Sequence, residues 1–147
     1  MQWANTATSL SQIARTRGDL AQAERYLDQV LEVRRKSQLD SLFLSSSLNG
    51  LGNLHKARGE LARAESEYRE AFAINDKLAP ESREVAGTLE NLGGVAQLRG
   101  DWELALDYYR RSVGILERVS PGTVYWAKAL ANLAQALEHF EKFDEAE

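Results

Sequence analysis

The sequence has no cysteine among its 147 residues. Disulfide staples and thiolate chemistry are therefore excluded, and the composition suits a reducing compartment; the cytoplasm is the expectation. Proline occurs only twice and glycine ten times, and no long Pro/Gly/Ser tract marks a domain boundary. Apolar runs are short, and none approaches the roughly 20 residues that a membrane-spanning helix requires. The opening MQWANTATSL carries neither the basic nor the apolar stretch of a secretory signal. A basic excess is missing too. The formal net charge is −4, whereas nonspecific nucleic-acid binding calls for a basic stripe. Neither nucleic acid nor a membrane is an expected partner.

Groups that do chemistry are equally sparse. The two histidines, His55 and His139, stand in unlike surroundings. His55 falls on an apolar helical stripe and reads as a packed side chain, and His139, beside Glu138 near a helix end, reads as solvated. A zinc site needs three or four converging ligands, and no HExxH or similar spacing exists. Each turn glycine stands alone between helices, so no phosphate-cradling loop is spelled. Ser9, Ser45, Ser46 and Ser47 have no His/Asp companion to activate them. Carboxylates such as Glu67 and Glu70, near Arg63 and Arg69, have the spacing of solvated ion pairs on a helix. No catalytic residue, metal or cofactor is expected. Arg34-Arg35-Lys36 fits the last turn of a long helix, where cations complement the dipole.

What the sequence does contain is a phrase said three times: RGDLAQAE at 17–24, RGELARAE at 58–65 and RGDWELAL at 99–106. The spacing is 41 residues. Shifting the chain by that distance aligns Ala23, Ala64, Ala105 and Ala146. It also aligns Leu10, Leu51, Leu92 and Leu133, and the small residues Ser11, Gly52, Gly93 and Ala134. Trp3, Leu44, Val85 and Trp126 form a further column. A period of 20–50 residues marks a stacked repeat. Within a unit, Leu48, Leu51, Gly52 and His55 follow i, i+3, i+4, i+7, and Leu61, Ala64, Tyr68, Ala71 and Phe72 form a second stripe after Gly59; both are amphipathic helices. The phrase is the turn between them, with glycine closing one helix and Asp19, Glu60 or Asp101 opening the next. Small columns let helix axes approach closely. Pro80 and Pro121 predict the end of each second helix.

Leu51-Gly52, Gly59, Ala64, Tyr68, Ala71 resembles the tetratricopeptide repeat (TPR) pattern. Leu92-Gly93, Gly100, Ala105, Tyr109, Ser112 repeats it, and Leu10-Ser11, Gly18, Ala23, Leu27, Val30 is a looser copy. The long period is similar to that of kinesin light chains and of bacterial arrays attached to CHAT-type peptidases. The resemblance implies an all-α solenoid of stacked antiparallel hairpins, a TPR-like right-handed superhelix. Repeats are expected at 4–44, 45–85 and 86–126, with a partial fourth at 127–147. Glu141 replaces the turn glycine in the fourth copy, where a weaker turn is expected.

In TPR arrays the first helix of each unit lines the concave surface. Here those helices carry Asn49, Asn53, Glu90, Asn91, Lys128, Asn132 and Gln135, joined by Asn5, Gln12 and Ser46. Asparagine is a poor helix former, while its amide can both donate to and accept from an extended backbone. The expected function is a noncatalytic scaffold holding a peptide or helix on this face. The alternative is a structural spacer or sensor segment of a larger signalling enzyme or regulator. The lysine-rich clamp of chaperone-binding TPRs is not reproduced, so chaperone tails are not expected ligands. The stripe Leu130, Leu133, Ala134, Leu137 predicts the packed side of the last helix. A fragment of a longer array, pairing weakly with a second copy through its end faces, is the expectation.

Overall fold

The computed structural model describes residues 9, 11, 13–36 and 42–144, with the backbone alone for 34–36 and 142–144. Helical residues 13–16 lead into six helices: α1 (Leu20–Lys36), α2 (Leu42–Ala57), α3 (Leu61–Leu78), α4 (Arg83–Leu98), α5 (Trp102–Val119) and α6 (Val124–Asp144). Among the described residues there is no strand. None of these helices is long and apolar enough to cross a membrane. Contacts divide the chain into two compact units, Met1–Ile74 and Asn75–Glu147.

The repeated phrase closes and opens helices by the same bonds each time. Gly18, Gly59 and Gly100 adopt φ of 77°, 76° and 81°, the left-handed backbone that glycine reaches without a Cβ clash. The Asp101 N–H then donates to the Ala96 carbonyl at 2.9 Å and the Gly100 N–H to that of Gln97 at 3.0 Å. Glu60 with His55 and Gly59 with Lys56 repeat those distances, as do Asp19 with Ala14 and Gly18 with Arg15. This is the Schellman closure, which satisfies carbonyls that a helix end would otherwise leave bare. The aspartate that follows in the first and third copies caps the next helix. Asp19 accepts from the Gln22 N–H at 3.0 Å and Asp101 from that of Leu104 at 3.1 Å. Pro80 and Pro121 each stand two residues beyond the last residue of α3 and α5.

In the first unit the core gathers Ala23, Leu27 and Leu31 of α1, Leu44, Leu48, Leu51 and Leu54 of α2, and Ala71 and Ile74 of α3. In the second, Ala96 of α4 meets Ala105 and Tyr109 of α5 and Ala136 of α6, flanked by Trp102 and Leu133. The small column has a direct cause in each. A Cβ added to Gly52 would lie 2.6 Å from the Tyr68 ring, and one added to Gly93 would lie 2.5 Å from that of Tyr109. The tyrosine of the second helix thus packs its ring against the bare backbone of the first. Asn75, buried near the end of α3, donates to the Thr88 hydroxyl of α4 at 3.2 Å.

The last helix departs from the sequence reading in two ways. Glu141 does not make a turn: α6 runs on to Asp144, giving 21 residues against 16 for α4. A side chain carrying a Cβ resists the left-handed conformation, and Lys142 cannot supply the acid cap. Its packed side also differs. Ala129 and Ala136, which lie off the leucine stripe, are buried, whereas Leu130 and Leu137 are 36% and 38% exposed. Their equivalents 41 residues earlier, Leu89 and Ala96, are 1% and 4% exposed. In α4 that stripe is buried, with Ala96 packed against Ala105 and Tyr109 of α5; in α6 it faces outward.

Candidate peptide-binding face

Positions i, i+3, i+4 and i+7 of a helix share one face. On α2 these are Ser46, Asn49, Gly50 and Asn53; on α4, Gly87, Glu90, Asn91 and Gly94; on α6, Lys128, Ala131, Asn132 and Gln135. Every one of these twelve residues is exposed or half-buried, while the opposite stripes of α2 and α4 are buried. The residues named from sequence therefore fall in register on each first helix. Gly87 widens the face, since a Cβ there would meet nothing within 4 Å.

The second unit concentrates its charge at Glu90. Its side chain is only 9% exposed, and Lys128, itself 69% exposed, reaches it at 3.4 Å. Asn132 of α6 and Ser112 of α5 donate to the same carboxylate, also at 3.4 Å each. Burial pushes the Glu90 carboxyl above its usual range, with Lys128 pulling the other way. Three long contacts on a desolvated carboxylate draw α4, α5 and α6 together. Burial, with Glu90 adding to it, pushes the Tyr109 phenol up to about 12. That phenol donates to the Gln97 amide oxygen at 2.9 Å. Asn91 is half-buried on α4, and Gln135 is exposed on α6.

In the first unit the amides have local partners. Asn49 donates to the Ser45 carbonyl one turn back at 3.1 Å. Asn53 accepts from the Tyr68 hydroxyl at 2.8 Å, so its amide also anchors the ring packed on Gly52. Asn5 and Gln12 lie outside the described residues.

Sequence reasoning missed a buried polar network on the other side of α2. His55 is fully buried, but not among apolar atoms alone. Its Nδ1 lies 2.7 Å from Glu67 Oε2 and its Nε2 lies 3.2 Å from Glu24 Oε1. Glu24 also takes Arg58 and, at 3.3 Å, Arg63, which reaches Glu60 at 2.7 Å. The Arg58 guanidinium, helped by His55, holds the Glu24 carboxyl below the usual carboxylate range. Burial holds that of Glu67 above it, against the pull of His55. Glu67 is thus no solvated partner of its own helix. The column itself gave the signal: Ala14 and Ala96 stand where His55 does. His139 is not simply solvated either, since its ring stacks on Trp102 with centroids 3.9 Å apart. Arg69 does pair along its own helix, with Glu65 at 2.7 Å.

The tetratricopeptide repeat profile matches residues 3–77 and 84–147. The chain belongs to the tetratricopeptide repeat family. No curated protein sequence matches it. Among solved structures it is similar to BtubC (BKLC) from P. vanneervenii, with a TM-score of 0.88 at 22% identity; the alignment covers 97% of this chain and 58% of that one. It is also similar to a putative kinesin light chain from Podosopora anserina, with nearly identical TPR-like repeats. There the TM-score is 0.83 at 19% identity, over 97% of this chain and 69% of that one. A point variant of the latter gives 0.84 at 18% identity, over 97% and 68%. These likenesses establish the fold, paired helices of the TPR kind, and membership of the family makes the chain a framework for protein–protein interaction.

Proposed function

We propose that the chain is a noncatalytic scaffold that holds an extended peptide or a helix against the face of its first helices. That face is the concave side in TPR arrays, and the grip falls to Asn49, Asn53, Glu90, Asn91, Lys128, Asn132 and Gln135. One observation carries the reading. The same four register positions of α2, α4 and α6 stay partly open and are polar or small, while the opposite stripes of α2 and α4 go to the core. Amides there can grip a backbone whatever its side chains. Asn91 and Asn132 occupy one column of the repeat, so the test is their joint replacement. Peptides selected on the chain from a random display library should bind Asn91→Ala/Asn132→Ala at least about tenfold more weakly. Unchanged affinity would move the site elsewhere.

A second reading has support of its own. The chain spans 58% of BtubC, and the Leu130/Leu137 stripe of α6 is open. Both fit a segment of a longer array that serves as spacer or sensor in a regulator or a CHAT-type peptidase, its contacts made within one polypeptide. The same open stripe supports weak self-association. Light scattering should then show a mass that rises with concentration, whereas a strict monomer at high concentration removes that suggestion.

A further inference from the structure

The buried network of the first unit lies beneath a cleft. The cleft measures about 390 Å³, within the size range of small-ligand pockets. Leu31 of α1 and Leu48 and Leu51 of α2 line it with apolar surface, and all three are buried core residues. Asp28 and Glu32 of α1 and Glu67 of α3 line it with carboxylates, together with Arg63. We propose that this cleft seats a cationic side chain, arginine or lysine, presented by a partner polypeptide. The site is separate from the first-helix face and does not depend on it.

The argument rests on matched chemistry. Arginine and lysine carry an aliphatic stem with a charged tip, and the cleft offers the same two parts, leucines and carboxylates. An apolar occupant would desolvate Glu67 further and add no partner to the one His55 supplies, at a cost. An acidic one would meet like charge. The balance of the surroundings favours a cation as well. Around cleft and network stand Glu24, Asp28 and Glu32 on α1 and Glu60 and Glu67 on α3. Facing them are His55 of α2, Arg58 of the turn and Arg63 of α3. Among these residues carboxylates outnumber cations even with the imidazole protonated. Arg58 and Arg63 are also drawn toward Glu24 and Glu60.

His55 supplies the independent observation. Packing does not require it, because Ala14 and Ala96 fill the same column of their repeats and are buried there. A fully buried imidazole is costly unless its nitrogens are engaged, and here one of them fixes Glu67 at 2.7 Å. Its effect is to hold a half-desolvated carboxylate at the wall of the cleft. His55 is thus a positioning residue. Burial raises the Glu67 carboxyl although His55 and Arg63 pull it down, and a cation seated in the cleft would add to their pull.

The experiment is an NMR titration of the full chain with Ac-Gly-Arg-Gly-NH2, against the same peptide carrying neutral citrulline. The arginine peptide should give saturable shifts in the amides of residues 28–32, 48–51 and 63–67, and citrulline should bind at least about tenfold more weakly. Glu67→Gln should weaken the arginine peptide at least about fivefold. His55→Ala, which restores the residue type of the column, should fold and bind more weakly than the native chain. Should Glu67→Gln fail to fold, Asp28→Asn on the exposed rim carries the same expectation. Equal response to arginine and citrulline overturns the proposal. So do shifts confined to other residues, or undiminished affinity in Glu67→Gln and Asp28→Asn.

Discussion

Tyr68 and Tyr109 share a geometry, each ring lying on a glycine of the preceding helix, with its hydroxyl bonded to an amide of that helix. The small columns were legible in the sequence, since Gly52 and Gly93 align at 41 residues. Their aromatic partners were not, because periodicity names a face and leaves open the atom that fills it. Gly93→Ala must push the Tyr109 ring aside and should cost about 1–3 kcal/mol, read as a lowered midpoint in urea denaturation. Ala105→Leu, at a fully buried position of the second-helix column, should cost a similar amount, about 1–3 kcal/mol. Glu90 gives a pH signature. Its folded carboxyl titrates above the ordinary value, so the folded state binds more protons than the unfolded one in that interval. Stability contributed by the protonated form is present below the unfolded value and lost as pH rises through the folded one. Glu90→Gln should therefore be more stable than the native chain at pH 7, the gap closing in acid. A variant less stable at pH 7 would show that the Lys128 and Asn132 ties outweigh desolvation.

Among the elements, the turns were the most readable. An isolated glycine followed by an acid predicts closure and cap; the two closing bonds recur in all three copies, and the cap is made by Asp19 and Asp101. Gly100→Ala forces φ near 81° on a residue with a Cβ and should cost about 1–2 kcal/mol, seen in thermal unfolding. A Tm equal to that of the native chain would mean the turn does not need that backbone. The packed side of α6 was misread from its leucines. Hydrophobicity marks what can be buried, and neighbours decide what is. Ala129 and Ala136 are narrow enough to let α6 approach, while Leu130 and Leu137 form the stripe that is buried in the equivalent helix, where Ala96 packs against α5. The repeat column marked His55 as the odd residue, but its partners were illegible for a related reason: Glu24 arrives from α1, 31 residues away, and no local pattern announces that meeting.

For the whole molecule, composition and a single period were enough to predict an all-α protein of paired helices, and the family match and solved structures agree. The proposed function was legible only as a face. Repeats that share a backbone differ in what they present on their outer positions, and the preference for a partner is written there. The first helices present amides and one lysine-tied carboxylate in register. The most direct measurement is amide shift mapping with a display-selected peptide. We expect the largest changes at Asn49, Asn53, Glu90, Asn91, Lys128, Asn132 and Gln135. Changes concentrated on α3 and α5, with these seven silent, would contradict a scaffold that works through its first helices.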